Sequence, residues 1–560
     1  MAARMSETTP APASANVPGY THAQIKRVVT GVMLCILLAA LDQTVVIPAV
    51  PAIAGELNAF GHLSWIVSAY LLTSTAATPI IGKLSDSYGR RALLIPSLVL
   101  FIVASVLCAL CTTLPQLISA RALQGLGGAG LMAMAQAAVA DVVSPRERGR
   151  YQGYMAAMWG IASIAGPIVG GYVTDHLSWR YIFWINVPLG LLALFLCDRA
   201  LRLLPVRGAR LPIDFAGALI LVCAITAWLL ALTWGGELPW ASPPILGLAA
   251  LGALLLALLI WQERRAADPV LPPRLFGNST FLRGVTIAFC TSGALLGATF
   301  LLPLYHQLLH GAAAGGSGLL VMPFLFATVI GAFSGGQVAR RLGRTKAIVV
   351  SGLCLSLVGF AALAALPVTV AGFSSLVCSF ALGLGLGTTL PAVLILVQNT
   401  APHADVGTAT GSLLFLRSMG GAIGTTMVGA LLVLGFQSAL SAAGLSGIEL
   451  GSFREHLTTL PASDRMAALG ALSSGFRIAF MACAGLLFVG LIVALGMRDE
   501  VLRSGPVPND QQHSILQPSG QVFADGAVPA AETVGTRNAS NAAVEANPSP
   551  ADTASTPRPA

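Results

Sequence analysis

The chain has 560 residues, of which 55% are hydrophobic and only 10% charged, with a net charge of +8 and a mean hydropathy of +0.79. Soluble domains carry about 25% charged residues, so this composition excludes an ordinary water-soluble fold and describes an all-α integral membrane protein. The basic residues flank apolar runs instead of forming one patch, which fits membrane topology better than nucleic-acid binding, and no nucleic-acid partner is expected.

In chain order, residues 1–24 are rich in Ala, Pro, Ser and Thr and lack the basic start and apolar core of a signal peptide; they read as a disordered tail. Apolar runs of about 20 residues, enough to cross a hydrocarbon core of roughly 30 Å, then recur with centres near Leu37, Leu72, Val103, Leu131, Ala162, Leu191, Val222, Leu254, Ser292, Leu325, Leu355, Gly385, Ile423 and Leu487. That predicts fourteen spans. Residues 501–560 are again rich in Pro, Ala, Ser and Asn and are read as a second disordered tail. Alternate loops carry Lys83, Arg90 and Arg91; Arg146, Arg148 and Arg150; Arg199, Arg202, Arg207 and Arg210; Arg264, Arg265 and Arg274; and Arg340, Arg341, Arg344 and Lys346. The opposite loops hold little beyond Glu56, Asp175, Arg180 and Glu237 until the long one near 436–475. The positive-inside rule places the Arg-rich loops and both termini in the cytoplasm.

An internal repeat divides the chain. Gly82 to Arg90 and Gly336 to Arg344 share a Gly-x6-Gly-Arg frame, as expected for two parallel repeats with the substrate site between them. Six spans in each half leave the spans around Val222 and Leu254 as an inserted pair, giving residues 25–204, 205–268 and 269–500 as first bundle, insertion and second bundle.

Asp42 lies within the first span, in Leu41-Asp42-Gln43-Thr44. A charge at mid-bilayer costs roughly 2.5–3.5 kcal/mol, so it is kept for a function or a partner. Asp42 is the candidate proton site, and Arg121, a permanent cation in the fourth span, is its expected partner. A structural ion pair is the competing reading. Gln124 and Gly125 share a helix face with Arg121. In the loop after span two, Gly82 and Gly89 permit sharp turning, Asp86 can cap a helix or meet a cation, and Arg90 and Arg91 are expected at the cytoplasmic lipid surface. Ala162, Gly166 and Gly170 form a small-residue stripe on span five, beside Pro167 and Gly171. Gln43, Gln124, Gln398, Asn399 and Arg417 are further cavity candidates, with His306 and Gln307 at an outer end. The pair Cys108 and Cys111 lacks a redox or metal context. No nucleotide-binding loop, zinc motif or paired Cys/His set occurs, so neither an enzyme, a metal nor a cofactor is expected.

These residues resemble a known family. Residues 82–91 are similar to the G-x-L-x-D-x-x-G-R-R/K loop of the major facilitator superfamily, and Arg121, Gln124, Gly125 and Gly127 to its R-x-x-Q-G-x-G motif. Gly166, Pro167, Gly170 and Gly171 are similar to the end of the antiporter motif, with Ala162 where its leading Gly usually stands. Leu41 to Val46 with Pro51, Trp179 to Gly190, and Arg417 with Gly420, Gly421 and Gly424 resemble signatures of the fourteen-span drug:proton antiporters. The resemblance spans about residues 25–500 and implies two six-helix bundles with two additional central helices, exporting amphiphilic drugs or related small molecules in exchange for protons. It further implies proton coupling through Asp42 and Arg121, a cytoplasmic gate at Asp86 and Arg90, a hinge at Gly166 and Pro167, and residence in a bacterial-type inner membrane, with a periplasmic adaptor if the cell is Gram-negative. A cavity acid for cationic drugs is not evident. A nutrient uniporter or importer of the same fold and a transporter-like sensor are the alternative functions.

Overall fold

The computed structural model describes residues 21–57, 63–202, 214–235, 239–311, 314–366, 372–445, 448, 450 and 453–502. Most of both predicted tails, together with Arg207, Arg210, Glu237 and Glu449, lies outside the described residues. The helices are α1 (His22–Glu56), α2 (Leu63–Tyr88), α3 (Arg90–Leu110), α4 (Leu114–Val142), α5 (Pro145–His176), α6 (Tyr181–Trp184), α7 (Asn186–Leu201), α8 (Phe215–Trp234), α9 (Pro243–Glu263), α10 (Pro273–Gly277), α11 (Ser279–Leu308), α12 (Ala314–Leu342), α13 (Lys346–Ala365), α14 (Phe373–Thr400), α15 (Val406–Ala442), α16 (Phe453–Thr459) and α17 (Ala462–Leu495). Among the described residues, fourteen helical segments are long and apolar enough to cross a membrane, α6 and α7 together making one. Each predicted span centre falls inside one of them.

Local chemistry sets the helix ends. Thr21 and Gln24 form a reciprocal capping box, in which the Thr21 amide donates to Gln24 Oε1 at 2.7 Å, so α1 starts inside the stretch expected to be a disordered tail. Asp214 caps α8 by accepting from the Gly217 amide at 2.8 Å, and Asn278 caps α11 through the amides of Thr280 and Phe281. Inside the spans, hydroxyls donate back one turn, as Thr410 does to Val406 O at 2.7 Å. No water is available there to satisfy them.

Packing gathers the helices into groups. Buried residues of α1, α2, α3, α4, α5 and α7 make one apolar core, exemplified by Val32, Leu98, Phe101, Met134 and Ala193. A second core gathers α11 to α17, around Phe324, Leu353, Phe360, Leu386, Phe436 and Phe480. Helices α8 and α9 pack on each other and, through Leu221, Ile225 and Leu259, against Ala76 of α2 and Phe415 and Met419 of α15.

Two matching seams join these groups. At one, α2 lies on α15, and a Cβ built on Gly82 would sit 2.6 Å from the Gly407 carbonyl oxygen. At the other, α12 lies on α5, and a Cβ on Gly336 would sit 2.0 Å from the Gly149 carbonyl oxygen. Gly82 and Gly336 are the first glycines of the repeated frame, and the second ones, Gly89 and Gly343, adopt φ of 89° and 64°, a region that residues with a Cβ enter reluctantly. The repeat read in the sequence therefore marks the two places where backbones touch across the seam.

Candidate functional site

Asp42 faces the interior of the first group, where α1, α3, α4 and α7 converge. Its side chain and that of Arg121 are each 1% exposed. Arg121 Nη1 donates to Asp42 Oδ2 at 2.7 Å, and Gln124 Nε2 and Asn186 Nδ2 donate to Asp42 Oδ1 at 2.8 and 2.7 Å. Arg121 also donates to Gln124 Oε1 at 2.7 Å and to the Ile66 carbonyl at 3.3 Å, and its guanidinium lies 4.6 Å from the centre of the Tyr70 ring. Ser105 Oγ closes the network by accepting from Gln124 and Asn186 at 2.7 and 3.3 Å. A buried charge persists only when paired and fully hydrogen-bonded, and Asp42 meets that condition with three donors.

The arrangement corrects one expectation. Gln124 does not border a cavity here: it is 0% exposed, because its amide is consumed at both ends by the ion pair and Ser105. Asn186 and Ser105 had not been singled out. Asn186 stands in the Trp179 to Gly190 signature, which offered a signal; Ser105, in a plain apolar run, offered none. Gln43 neighbours Asp42 and is half-buried.

A second polar cluster lies at the end of the molecule that carries the arginine-rich loops. Asp86 accepts from the amides of Gly407 and Thr408 at 2.9 and 2.6 Å and from the Thr408 hydroxyl at 2.7 Å. It thereby caps α15 from across the seam, where a carboxylate also meets the positive end of the helix dipole. Arg90 Nη1 donates to Asp86 at 2.8 Å and Arg90 Nε to Asp141 at 2.8 Å. Arg90 is only 3% exposed, so the expectation of a lipid-surface anchor fails for it: two carboxylates draw it inward. Arg91 is the exposed member and pairs with Asp198 at 2.6 Å. Lys83 forms an ion pair with Asp268, beyond α9, and Arg274 pairs with Asp405 at 2.8 Å. At the partner seam, Arg340, which holds the repeat position of Asp86, pairs with Glu147 at 2.8 Å.

The glycine stripe of α5 packs against α1. A Cβ on Gly166 would lie 2.0 Å from Thr44 Oγ1, and one on Gly170 would lie 2.2 Å from the Val45 carbonyl oxygen; the Thr44 hydroxyl donates to the Ala162 carbonyl at 2.8 Å. Gly171 has no neighbour within 4 Å of a built Cβ, and Pro167 is exposed, so these two stand apart from the contact. Gln398 is buried and donates to Thr410 at 3.1 Å, inside the second group, and Asn399 is buried beside it in sequence. Arg417 is half-buried in a recess between α11, α14 and α15. The candidates thus fall into a buried ion-pair network, a seam cluster, the glycine contact of α5 with α1, the buried Gln398 and Asn399 of the second group, and Arg417 in its recess.

Comparison with known proteins places this geometry. A sequence model of the Major Facilitator Superfamily matches residues 32–425. The chain is 35% identical over 497 residues to an uncharacterised MFS-type transporter of Mycobacterium tuberculosis, covering 88% of this chain and 72% of the relative. It is 35% identical over 405 residues to the multidrug transporter protein MdtP of Bacillus subtilis, covering 72% and 74%, and 31% identical over 461 residues to the efflux pump dotC of Dothistroma septosporum, covering 79% and 78%. Among solved structures, the proton:xylose symporter XylE superposes with a TM-score of 0.59 at 13% identity, over 89% of this chain and 100% of that one, a likeness of fold. With fourteen membrane spans, two glycine-paired seams and this family match, the chain belongs to the Major Facilitator Superfamily and is a multi-pass membrane transporter.

Proposed function

We propose that the protein exports small amphiphilic compounds across the cell membrane in exchange for protons, by alternating access between a first bundle (25–204) and a second bundle (269–500), with the inserted pair (205–268) beside their seam. The observation that carries this reading is the Asp42–Arg121 pair, sealed at 1% exposure deep in the spans. Intramembrane carboxylates of this kind serve proton relays. The names of the relatives, a multidrug transporter and an efflux pump, support the direction and the broad substrate class.

The arginine-rich end is cytoplasmic in this reading, with both termini on that side. The seam contacts at Gly82, Gly149, Gly336 and Gly407 then close the cytoplasmic mouth. A proton arriving from outside neutralises Asp42 and removes the charge that holds Arg121. Asp42 is two residues from Thr44, which binds α5 at Ala162, and α5 carries the seam to α12 through Gly149 and, one and three turns on, through Gly153 against Phe333 and Gly160 against Val329. Titration of Asp42 acts on the cytoplasmic seam through that line of contacts. Asp86 holds the closed mouth by capping α15, and Arg90 holds Asp86 in place. The substrate enters the cavity after the mouth opens inward, and release of the proton to the cytoplasm restores the ion pair.

Dye uptake into inverted vesicles, whose lumen corresponds to the outside of the cell, tests this. Export is expected to follow an imposed pH difference and to stop when an ionophore removes it. Equal export with no pH difference refutes proton coupling.

A further inference from the structure

From the position of Arg417 we infer that the cavity selects amphiphiles carrying a carboxylate or a similar anionic group. The inference rests on the export reading and adds the charge of the cargo to it. Arg417 stands eleven residues after Val406, about 16 Å along α15 at 1.5 Å per residue, which is well inside a span. Among the described residues, it has no hydrogen-bonding or ion-pair partner, in contrast to Arg121 and Arg90, each held by at least one carboxylate. A guanidinium cannot shed its charge, and at such depth it faces a polar interior or a water-filled cavity.

The surroundings define what fits. Arg417 is one turn from Leu414, which packs against the core of the first bundle, and the recess it borders lies among α11, α14 and α15 of the second bundle, next to the seam where substrates of such transporters bind. One and two turns further, Gly420 and Gly424 let α15 close on Phe289 and Gly293 of α11, which brings Thr291 to the same recess. Thr291 is 1% exposed and its hydroxyl oxygen is buried without a hydrogen-bond partner. Ala288, Leu390, Val393 and Leu413 line the recess, which at about 10 Å³ is a head-group site and not a chamber for the whole amphiphile. A fixed cation, an unused hydroxyl and greasy walls suit a carboxylate joined to an apolar body, since guanidinium binds carboxylates by paired, charge-assisted hydrogen bonds. A cationic amphiphile would need a free acid, and Asp42 already holds three donors in a sealed network.

The test is binding by the purified full-length protein of three probes that differ only in the head group: pyrenebutyrate, pyrenebutanol and pyrenebutyl-trimethylammonium. Energy transfer from the protein's tryptophans to pyrene reports occupancy, near neutral pH where the carboxylate is ionised. The wild-type protein is expected to bind pyrenebutyrate at least about tenfold more tightly than the ammonium probe, Arg417→Gln to erase that preference, and Arg417→Lys to keep part of it. Thr291→Val is expected to weaken pyrenebutyrate only, by a few fold. A wild-type preference for the ammonium probe, no preference among the three, or an Arg417→Gln protein that still favours the carboxylate overturns the inference. If Arg417→Gln does not fold, the wild-type order and the Lys and Val variants decide. Binding needs no pH gradient, so failure of proton coupling and failure of this site are read separately.

Discussion

Asp86 of α2 accepts hydrogen bonds from the Gly407 amide and the Thr408 hydroxyl of α15, at 2.9 and 2.7 Å. One carboxylate therefore terminates a helix of the other bundle while also holding Arg90 at 2.8 Å. Hydrogen bonds to a charged group contribute about 1.5–3 kcal/mol each, so Asp86→Asn, which keeps the shape and removes the charge, is expected to favour the cytoplasm-open state. Distances between spin labels at the arginine-rich ends of α2 and α15, cytoplasmic in the proposed orientation, should lengthen in the variant. An unchanged distance distribution means that the contact holds no gate.

Two neighbouring glycines make contrasting predictions. Gly166→Ala puts a methyl 2.0 Å from Thr44 Oγ1, whereas Gly171→Ala meets nothing within 4 Å. The first is expected to lose most transport or to express poorly, since overpacking a tight site costs about 1–3 kcal/mol. The second should keep wild-type efflux and thermal stability in detergent. Equal behaviour of the two variants would contradict the packing described for α1 and α5.

Within the buried network, Asn186→Ala removes a 2.7 Å donor from Asp42 and leaves part of a buried carboxylate unsatisfied, at a cost of about 1–3 kcal/mol. A melting temperature several degrees lower and a clear loss of efflux are expected. Cys108→Ala is the control. Its thiol is 3.6 Å from Gln124 Oε1, a weak contact, and both measurements should stay near wild type.

The Lys83–Asp268 pair ties α2 to the segment following the inserted helices, with side chains only 11% and 12% exposed. Breaking a buried pair by removing one partner costs about 3–5 kcal/mol, and this partly buried one should cost less. Lys83→Asp is expected to impair efflux, and adding Asp268→Lys to restore it. Failure of the exchanged pair to rescue would show that the residues act separately.

What the sequence disclosed follows from how strongly each feature is constrained by neighbours along the chain. Every span centre was readable because crossing a bilayer demands about 20 apolar residues in a row, and the Asp42–Arg121 contact was readable because a membrane charge needs an opposite one. Neutral polar residues carry no such demand. Asn186 meets Asp42 from 144 positions away, a contact made only by the crossing of α1 and α7, and Gln124 was assigned to the cavity because periodicity gives a face but not what the face meets. Arg90 was expected beside lipid because basic residues usually flank spans; the partly buried Asp86 and Asp141 carboxylates that draw it in became visible only once α2, α3 and α4 were packed. The repeated glycine frame was legible as a repeat, while the partners of its first glycines, Gly407 and Gly149, required the fold.

The most direct measurement of the central claim is substrate-driven proton movement into liposomes containing the purified protein and a trapped pH-sensitive dye, comparing wild type with Asp42→Asn. Addition of an exported compound should move protons through the wild-type protein, and Asp42→Asn should abolish that movement while still exchanging labelled for unlabelled compound. Proton movement of wild-type size in Asp42→Asn would contradict the account.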